Sequence, residues 1–389
     1  MSTSPSTCRW GILATGWIST KFALDLLVDP ATRDVTDVKH EIVAVGSRSR
    51  DSAAKFVENV WGEAGVTEGK DKVELYGSYD ELVKNPNIDA IYIGTPHSHH
   101  YDNAHLALSA GKNVLCEKAF TVNAQQAEAL IALAREKNVF LMEAVWTRFQ
   151  PYAYKYQALL SSGILGEIRG FRSELCIDFT KTAQKDPGHR IVNPMLAGGA
   201  LLDLGPYSWV HAALALLPPS SASSEPLPVP QIISTMSKTS SGVDKSSVAV
   251  LDFPVEGGKT VQATLTTAQN RQSGKIVATV QGTLGYLDVY GPTYRPSGLA
   301  FYAWDSEEDF AEATKGPNKS ETISFEPRPG NIWGFAWEAD EVARCLRDGK
   351  KESERMPLRE TVLQMQVFDE IRRQGDFRYP EALETLELA

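Results

Sequence analysis

The sequence predicts two folds in series: a doubly wound α/β domain with a parallel sheet over residues 1–148, then an α+β domain with a large, mostly antiparallel open sheet over residues 149–389. Three observations lead there. From Cys8 to Ala144, short apolar or β-branched runs alternate with amphipathic stretches, as a parallel sheet covered by helices on both faces requires. Beyond Pro151 the runs lengthen and alternate with a period of two, the mark of half-buried antiparallel strands. A chain of 389 residues also exceeds the usual size of one domain.

In the first region six strands fall at residues 8–13, 41–47, 73–76, 90–93, 113–116 and 140–144, each short enough to be buried on both faces. Helical spacing of apolar residues falls between them, over 19–27, 51–60, 79–83, 100–110 and 123–137. In the second region a helix over 152–160 leads into strands at 168–176, 246–253, 260–267 and 275–281. A helix over 200–216 interrupts the strands, and helices over 333–347 and 358–373 close the chain, the last able to pack back on the first domain. Segregated strands and helices of this kind give an α+β domain. The Pro- and Ser-rich stretch 218–230 and the acidic stretch 305–330 read as surface loops. No internal repeat is present.

Composition narrows the classes. A formal net charge of −10 without any Lys/Arg block argues against a nucleic-acid partner, and a hydrophobic content of 42% fits a chain with a sizeable core. Cys8, Cys116, Cys176 and Cys345 form no CxxC pair, so neither a disulfide framework nor a zinc site is signalled. The Ser/Thr-rich start lacks the charged and apolar regions of a signal peptide, and no apolar stretch approaches bilayer length. The expectation is a soluble cytoplasmic protein with no membrane partner.

The first strand runs into Gly11-Ile12-Leu13-Ala14-Thr15-Gly16-Trp17-Ile18-Ser19, which aligns with GxGxxG at Ala14, Gly16 and Ser19. Only the middle glycine is literal, and a plain tight turn is the alternative. Its place between first strand and first helix favours a pyrophosphate site, with Ala14, Thr15, Gly16, Trp17 and Ile18 around the cofactor. At the end of the second strand, where an acid would hold the ribose 2′-hydroxyl of NAD, the chain has Ser47-Arg48-Ser49-Arg50. A guanidinium beside hydroxyls suits the 2′-phosphate of NADP, and an exposed loop arginine is the alternative. After the fourth strand, Thr95, Pro96, His97 and His99 lie along the expected cofactor path. The two histidines have no carboxylate or cysteine at ligand spacing, so no metal is expected.

Lys118 follows the fifth strand in Cys116-Glu117-Lys118-Ala119-Phe120, at the carboxyl edge of the sheet where ligands bind in open α/β folds. Asp203 and Tyr207 stand four apart in Gly198-Gly199-Ala200-Leu201-Leu202-Asp203-Leu204-Gly205-Pro206-Tyr207 and share one helix face. A tyrosine that works as a base near neutrality needs a cation to favour its phenolate, and Lys118 is a candidate for it. A buried tyrosine with a hydroxyl partner, a helix-capping aspartate and a surface-paired lysine are the structural alternatives.

With Glu117-Lys118, Thr95-Pro96 and Asp203-Leu-Gly-x-Tyr207, the chain resembles the glucose-fructose oxidoreductase/inositol dehydrogenase family of NAD(P)-dependent oxidoreductases along almost its whole length. Residues 116–120, 141–149 and 337–350 look most like its D-xylose 1-dehydrogenase and dimeric trans-dihydrodiol dehydrogenase branch. The resemblance implies NADP as cofactor, with Glu117 and Lys118 beside it, Lys118 as catalytic lysine, Tyr207 as acid/base and Asp203 as the carboxylate that orients them. Two departures stand out: Ala119 replaces the motif's usual proline, and Ala14 replaces the first fingerprint glycine. The implied reaction is oxidation of the anomeric carbon of an aldopentose, D-xylose to D-xylono-1,5-lactone, by a homodimer paired through the C-terminal sheet. Oxidation of trans-1,2-dihydrodiols and a non-catalytic NADP-binding sugar sensor are the alternatives. Further sugar contacts are expected from Trp146, Arg148, Asp178, Phe179, Arg190 and Asn193, although Trp146 and Phe179 equally suit a core and Arg148 a domain interface.

Overall fold

The computed structural model describes residues 4–218, 225–255, 258–312 and 316–388. The chain divides into two compact units, one of residues 1–146, 327–362 and 384–389, the other of residues 147–326 and 363–383.

The first unit contains β1 (Ser6–Leu13), α1 (Trp17–Leu26), β2 (Val38–Gly46), α2 (Arg50–Ala64), β3 (Glu74–Tyr76), α3 (Tyr79–Leu82), β4 (Ala90–Ile93), α4 (His100–Ser109), β5 (Asn113–Glu117), α5 (Ala124–Lys137) and β6 (Leu141–Ala144). All pairings are parallel and the strand order is β3-β2-β1-β4-β5-β6. The order reverses between β1 and β4, so the loops after these two strands face one crevice, the usual ligand position. Local chemistry sets the helix ends. Ser49 Oγ accepts the Ser52 N–H at 3.2 Å to start α2, and Asn123 Oδ1 accepts the Gln126 N–H at 2.9 Å to start α5. Gly65 and Asn138 stop these helices at φ of +67° and +53°. The start of α1 is different: Gly16 supplies no capping side chain.

The second unit contains α6 (Pro151–Ser161), β7 (Ile168–Cys176), α7 (Thr180–Lys185), α8 (Ala200–Leu216), β8 (Gln231–Lys238), β9 (Asp244–Val255), β10 (Lys259–Ala268), β11 (Ile276–Gly282), β12 (Gly285–Tyr290), β13 (Gly298–Ala303), α9 (Glu307–Glu312) and β14 (Lys319–Ser324). Its eight strands run β14-β13-β12-β11-β7-β10-β9-β8, antiparallel except for the β7–β10 pair. The apolar helix α8 covers one face of β7, β9 and β10, with Trp209 against Phe253 at 5.6 Å between ring centroids. The stretch expected as a loop over 305–330 instead holds α9 and β14. In the other expected loop, residues 225–230 form no helix or strand, and 219–224 lie outside the described residues.

Two long helices, α10 (Phe335–Arg347) and α11 (Leu358–Gln374), and the short α12 (Glu381–Glu384) close the chain. Within the first unit, Asp25 of α1 accepts the N–H groups of Trp333, Gly334 and Phe335 at 2.7, 2.7 and 2.8 Å and so caps α10 from outside. Within the second, Gln374 blunts the open edge of β8: its Nε2 donates to the Ile232 carbonyl at 2.8 Å and its Oε1 accepts the Ser234 N–H at 2.7 Å.

Candidate functional site

At the β1–α1 turn, Ala14 adopts φ of +78°, the left-handed region that favours glycine, at the place of the first fingerprint glycine. An L-residue pays roughly 1–2 kcal/mol for that conformation, which the surrounding turn sustains. A Cβ added to Gly16 would meet nothing nearer than the Gly94 carbonyl at 3.8 Å, so the backbone at the α1 N-terminus is open to a close-fitting group. Uncapped N–H groups beside a missing Cβ are what a pyrophosphate needs, so the turn fits a dinucleotide. Ser19 fills the third fingerprint position, fully buried. Gly94, after β4, makes that possible, since a Cβ there would lie 2.3 Å from Ser19 Oγ.

Other cofactor candidates divide into anchored and exposed groups. Thr15 Oγ1 and Ser47 Oγ hydrogen-bond at 2.9 Å, tying the first turn to the end of β2. Arg48 is exposed, and its charge draws down the pKa of Tyr79, which burial otherwise raises. Trp17 is 62% exposed with its ring edge-on to Trp333 at 5.5 Å, while Ile18 lies near Gly94. Pro96 is half-buried, His97 is buried, and His99 is exposed with its Nδ1 beside Ser98 Oγ at 2.7 Å. No group of three or more metal-ligating side chains occurs among the described residues.

Sequence reasoning passed over His100, which is fully buried at the start of α4. Its Nδ1 lies 2.9 Å from the Ala119 carbonyl and its Nε2 2.9 Å from the Thr95 carbonyl, so the imidazole sits between the loops after β4 and β5 and, as a neutral ring, donates to one of the two carbonyls. Burial pushes its pKa down to about 4 against the pull of both carbonyls. At the end of β5, Glu117 accepts the Tyr92 hydroxyl at 2.7 Å and the Lys118 N–H at 3.3 Å. Lys118 is 9% exposed, and the peptide linking it to Ala119 is cis. Trp146 is buried against Phe335 with centroids 4.4 Å apart.

The remaining candidates belong to the second unit. Asp203 and Tyr207, both buried, lie four apart on α8. Arg190 Nη1 donates to Asp203 Oδ1 at 2.9 Å, with side chains 47% and 8% exposed, and the Tyr294 ring lies 5.7 Å from that of Tyr207. Arg148 is buried in a short 3-10 turn. Asp178 is exposed and accepts the Thr180 N–H at 2.9 Å, while Phe179 lines a cleft of about 460 Å³ with Lys245 and Gln269. Asn193 accepts the Met195 N–H at 2.9 Å and caps its own short turn. The structure thus joins Arg190 to Asp203, Tyr207 to Tyr294 and Thr15 to Ser47.

Residues 8–145 match the model of the GFO/IDH/MocA oxidoreductase family with its NAD-binding Rossmann fold, and residues 154–288 match the GFO/IDH/MocA C-terminal domain. A D-xylose 1-dehydrogenase (NADP(+)) from Hypocrea jecorina is 41% identical, over 99% of this chain and 96% of that enzyme. The human trans-1,2-dihydrobenzene-1,2-diol dehydrogenase is 32% identical, over 96% of this chain and 98% of that enzyme. The fold is shared with an aldose-aldose oxidoreductase from Caulobacter crescentus at a TM-score of 0.72 and 22% identity, over 95% of this chain and 98% of that one.

Proposed function

The chain belongs to the GFO/IDH/MocA oxidoreductase family and carries its NAD(P)-binding Rossmann domain, and from that premise we propose that it is an NADP-dependent dehydrogenase converting D-xylose to D-xylono-1,5-lactone. The observation that carries this reading is the 41% identity with an NADP-dependent D-xylose 1-dehydrogenase across 99% of the chain. The proposed division of labour gives residues 1–148 to the cofactor and residues 149–389 to sugar binding and dimerisation.

NADP is favoured over NAD by the end of β2. Ser47 and Arg48 follow the strand where a carboxylate would otherwise hold the ribose, and the forked guanidinium matches a 2′-phosphate. The pyrophosphate is assigned to the turn of Ala14, Thr15, Gly16, Trp17 and Ile18, with Thr95, Pro96, His97, His99 and Glu117 along the rest of the cofactor. When bound, the nicotinamide supplies the hydride acceptor. Tyr207 takes the proton of the anomeric hydroxyl as the C1–H bond gives up hydride and the lactone carbonyl forms. A phenol near its ordinary pKa of about 10 is a poor base at neutrality, so Lys118 contributes the positive charge that stabilises phenolate and developing alkoxide. Asp203, held by Arg190, orients this face of α8. Arg190 and Asn193 are the polar sugar contacts, with Trp146, Arg148, Asp178 and Phe179 completing the set.

A second copy of the chain is the proposed partner, engaged through the sheet face that α8 leaves open. Ile233, Val250, Thr264, Arg172 and Thr279 follow one another in register there, and Ile233 is 69% exposed. Four buried free cysteines favour a reducing, cytoplasmic setting.

The test is NADPH formation by pure protein with D-xylose, beside D-glucose, L-arabinose and a trans-dihydrodiol. Xylose turnover well above the rest is expected. Preference for the diol would transfer the assignment to the activity named for the relatives that are 32–33% identical. Tyr207→Phe should lower kcat by about a hundredfold or more while leaving NADP affinity unchanged, and undiminished turnover would remove Tyr207 from the mechanism.

A further inference from the structure

Asp244, the first residue of β9, is completely buried. Its Oδ2 accepts the Leu201 N–H at 2.7 Å, closing the N-terminus of α8, where Gly199 brings no capping side chain. A carboxylate there satisfies an N–H that the first turn leaves without an intrahelical partner, and the helix dipole favours its charge. The backbone makes room for it: Gly199 has φ of +124°, and a Cβ on it would lie 2.0 Å from Asp244 Oδ1. Beside it, a Cβ on Gly198 would lie 2.4 Å from the Arg190 carbonyl. The Gly199 N–H donates to the Ile191 carbonyl at 2.9 Å, and the Tyr379 hydroxyl donates to the Gly198 carbonyl at 2.7 Å. One two-glycine turn therefore fixes both where α8 begins and where Arg190 meets Asp203.

We propose that Asp244 is a positioning residue for the reaction, setting the Arg190–Asp203 pair and, one turn further along α8, Tyr207. The proposal rests on the assignment of Asp203 and Tyr207 made above. Asp244 acts through the helix end and the Gly198–Gly199 turn, without touching the reacting atoms.

The anchor is sensitive to its own charge. Asp244 Oδ1 has no hydrogen-bond partner among the described residues, and burial pushes the carboxyl pKa up to about 7 against the pull of the Leu201 N–H and of Arg372. The ionisable groups around it are Arg372 on α11, Tyr379 beyond that helix, Lys238 opposite it in the β8 register, Lys245 next in its own strand, and Asp203 with Arg190 on the α8 side. Arg372 is the cation that favours the carboxylate, so the anchor weakens as pH falls through neutrality.

Steady-state kcat and KM of wild type, Asp244→Asn, Asp244→Ala and Tyr207→Phe, with melting temperatures, test this. Asn keeps an acceptor for Leu201 and removes the charge. Asp244→Asn should lower kcat about three- to tenfold at pH ~8.5 with KM for NADP unchanged, and the deficit should close by pH ~6, where wild type is itself protonated. A purely structural role gives a deficit independent of pH, so a flat ratio, or no deficit at any pH, overturns the proposal. Asp244→Ala should be slow at every pH and melt lower; should it fail to fold, Asp244→Asn still decides. Normal turnover by Tyr207→Phe would sink the acid/base reading and this proposal with it. An inactive Tyr207→Phe beside an Asp244→Asn that matches wild type would overturn the Asp244 proposal alone.

Discussion

Arg48 and Ser47 are neighbours in sequence with opposite fates: Ser47 is buried and bonded to Thr15, whereas Arg48 projects into solvent near Tyr79. An exposed guanidinium is free to form charge-assisted hydrogen bonds with a phosphate, and NAD offers none at that position. Arg48→Ala should therefore raise KM for NADP about tenfold or more while changing KM for NAD by less than about threefold, and equal effects would remove the arginine from 2′-phosphate binding. Much at this scale was legible. The degraded fingerprint gave the place of the turn, and the positive φ at Ala14 shows glycine-like backbone retained without glycine. His100 was not legible because three histidines crowd residues 97–100, and only the phase of α4 turns His100 inward and leaves His99 exposed. Nor does spacing tell that Arg190 meets Asp203, since the Gly198–Gly199 turn that joins them is tertiary in origin.

Strands buried on both faces, such as β1 and β4, were readable because an apolar run bounded by turns has few other uses. The polar strand β14 was not: Lys-Ser-Glu-Thr-Ile-Ser lies at the sheet edge, where charge guards against stray pairing and erases the alternating pattern. β12 and β13 each begin with glycine, which lowers the strand signal, and Gly285 leaves no room for a Cβ against the Tyr302 carbonyl at 2.0 Å. Helix α10 was legible as a helix but its fastening was not, because the partners are about three hundred residues away. Arg33 forks onto Asp340 at 2.8 and 2.7 Å, and His40 Nε2 lies 2.9 Å from the same carboxylate. Trp10 Nε1 donates to His40 Nδ1 at 3.2 Å, which leaves the His40 proton on Nε2, facing Asp340. All three side chains of that pairing are essentially buried, so removing the cation strands a carboxylate in the core. Arg33→Met should cost about 3–5 kcal/mol in denaturant unfolding, and a loss under about 1 kcal/mol would show that His40 alone suffices.

Across the whole molecule, each unit holds a buried histidine and a buried acid whose titrations oppose each other. His100 in the first unit and His211 in the second have pKa values pushed down to about 4, burial being the main cause in both. Such groups are neutral when folded, so the stability they allow is present above pH ~6.5 and is lost as pH falls toward the folded value. Asp244 in the second unit and Glu338 in the first run the other way, with carboxyl pKa values raised chiefly by burial. Neither Glu338 oxygen has a hydrogen-bond partner among the described residues, and the charges of Glu117 and Asp25 raise its pKa further. Its contribution is complete below the unfolded carboxyl pKa of about 4.3 and is lost as pH rises, because only the unfolded chain ionises it freely. Wild-type melting temperature should therefore vary little from pH ~5 to ~6.5, where the histidine and carboxyl terms offset each other, and fall from there to pH ~8 as the carboxyl terms continue alone. Glu338→Gln removes one carboxyl term and keeps the shape. Scanning calorimetry should find the variant close to wild type at pH ~4.5 and melting progressively higher than wild type as pH rises to ~8. A difference that stays constant or shrinks over that range would mean that Glu338 is ionised in the folded protein and has a partner that stabilises its charge.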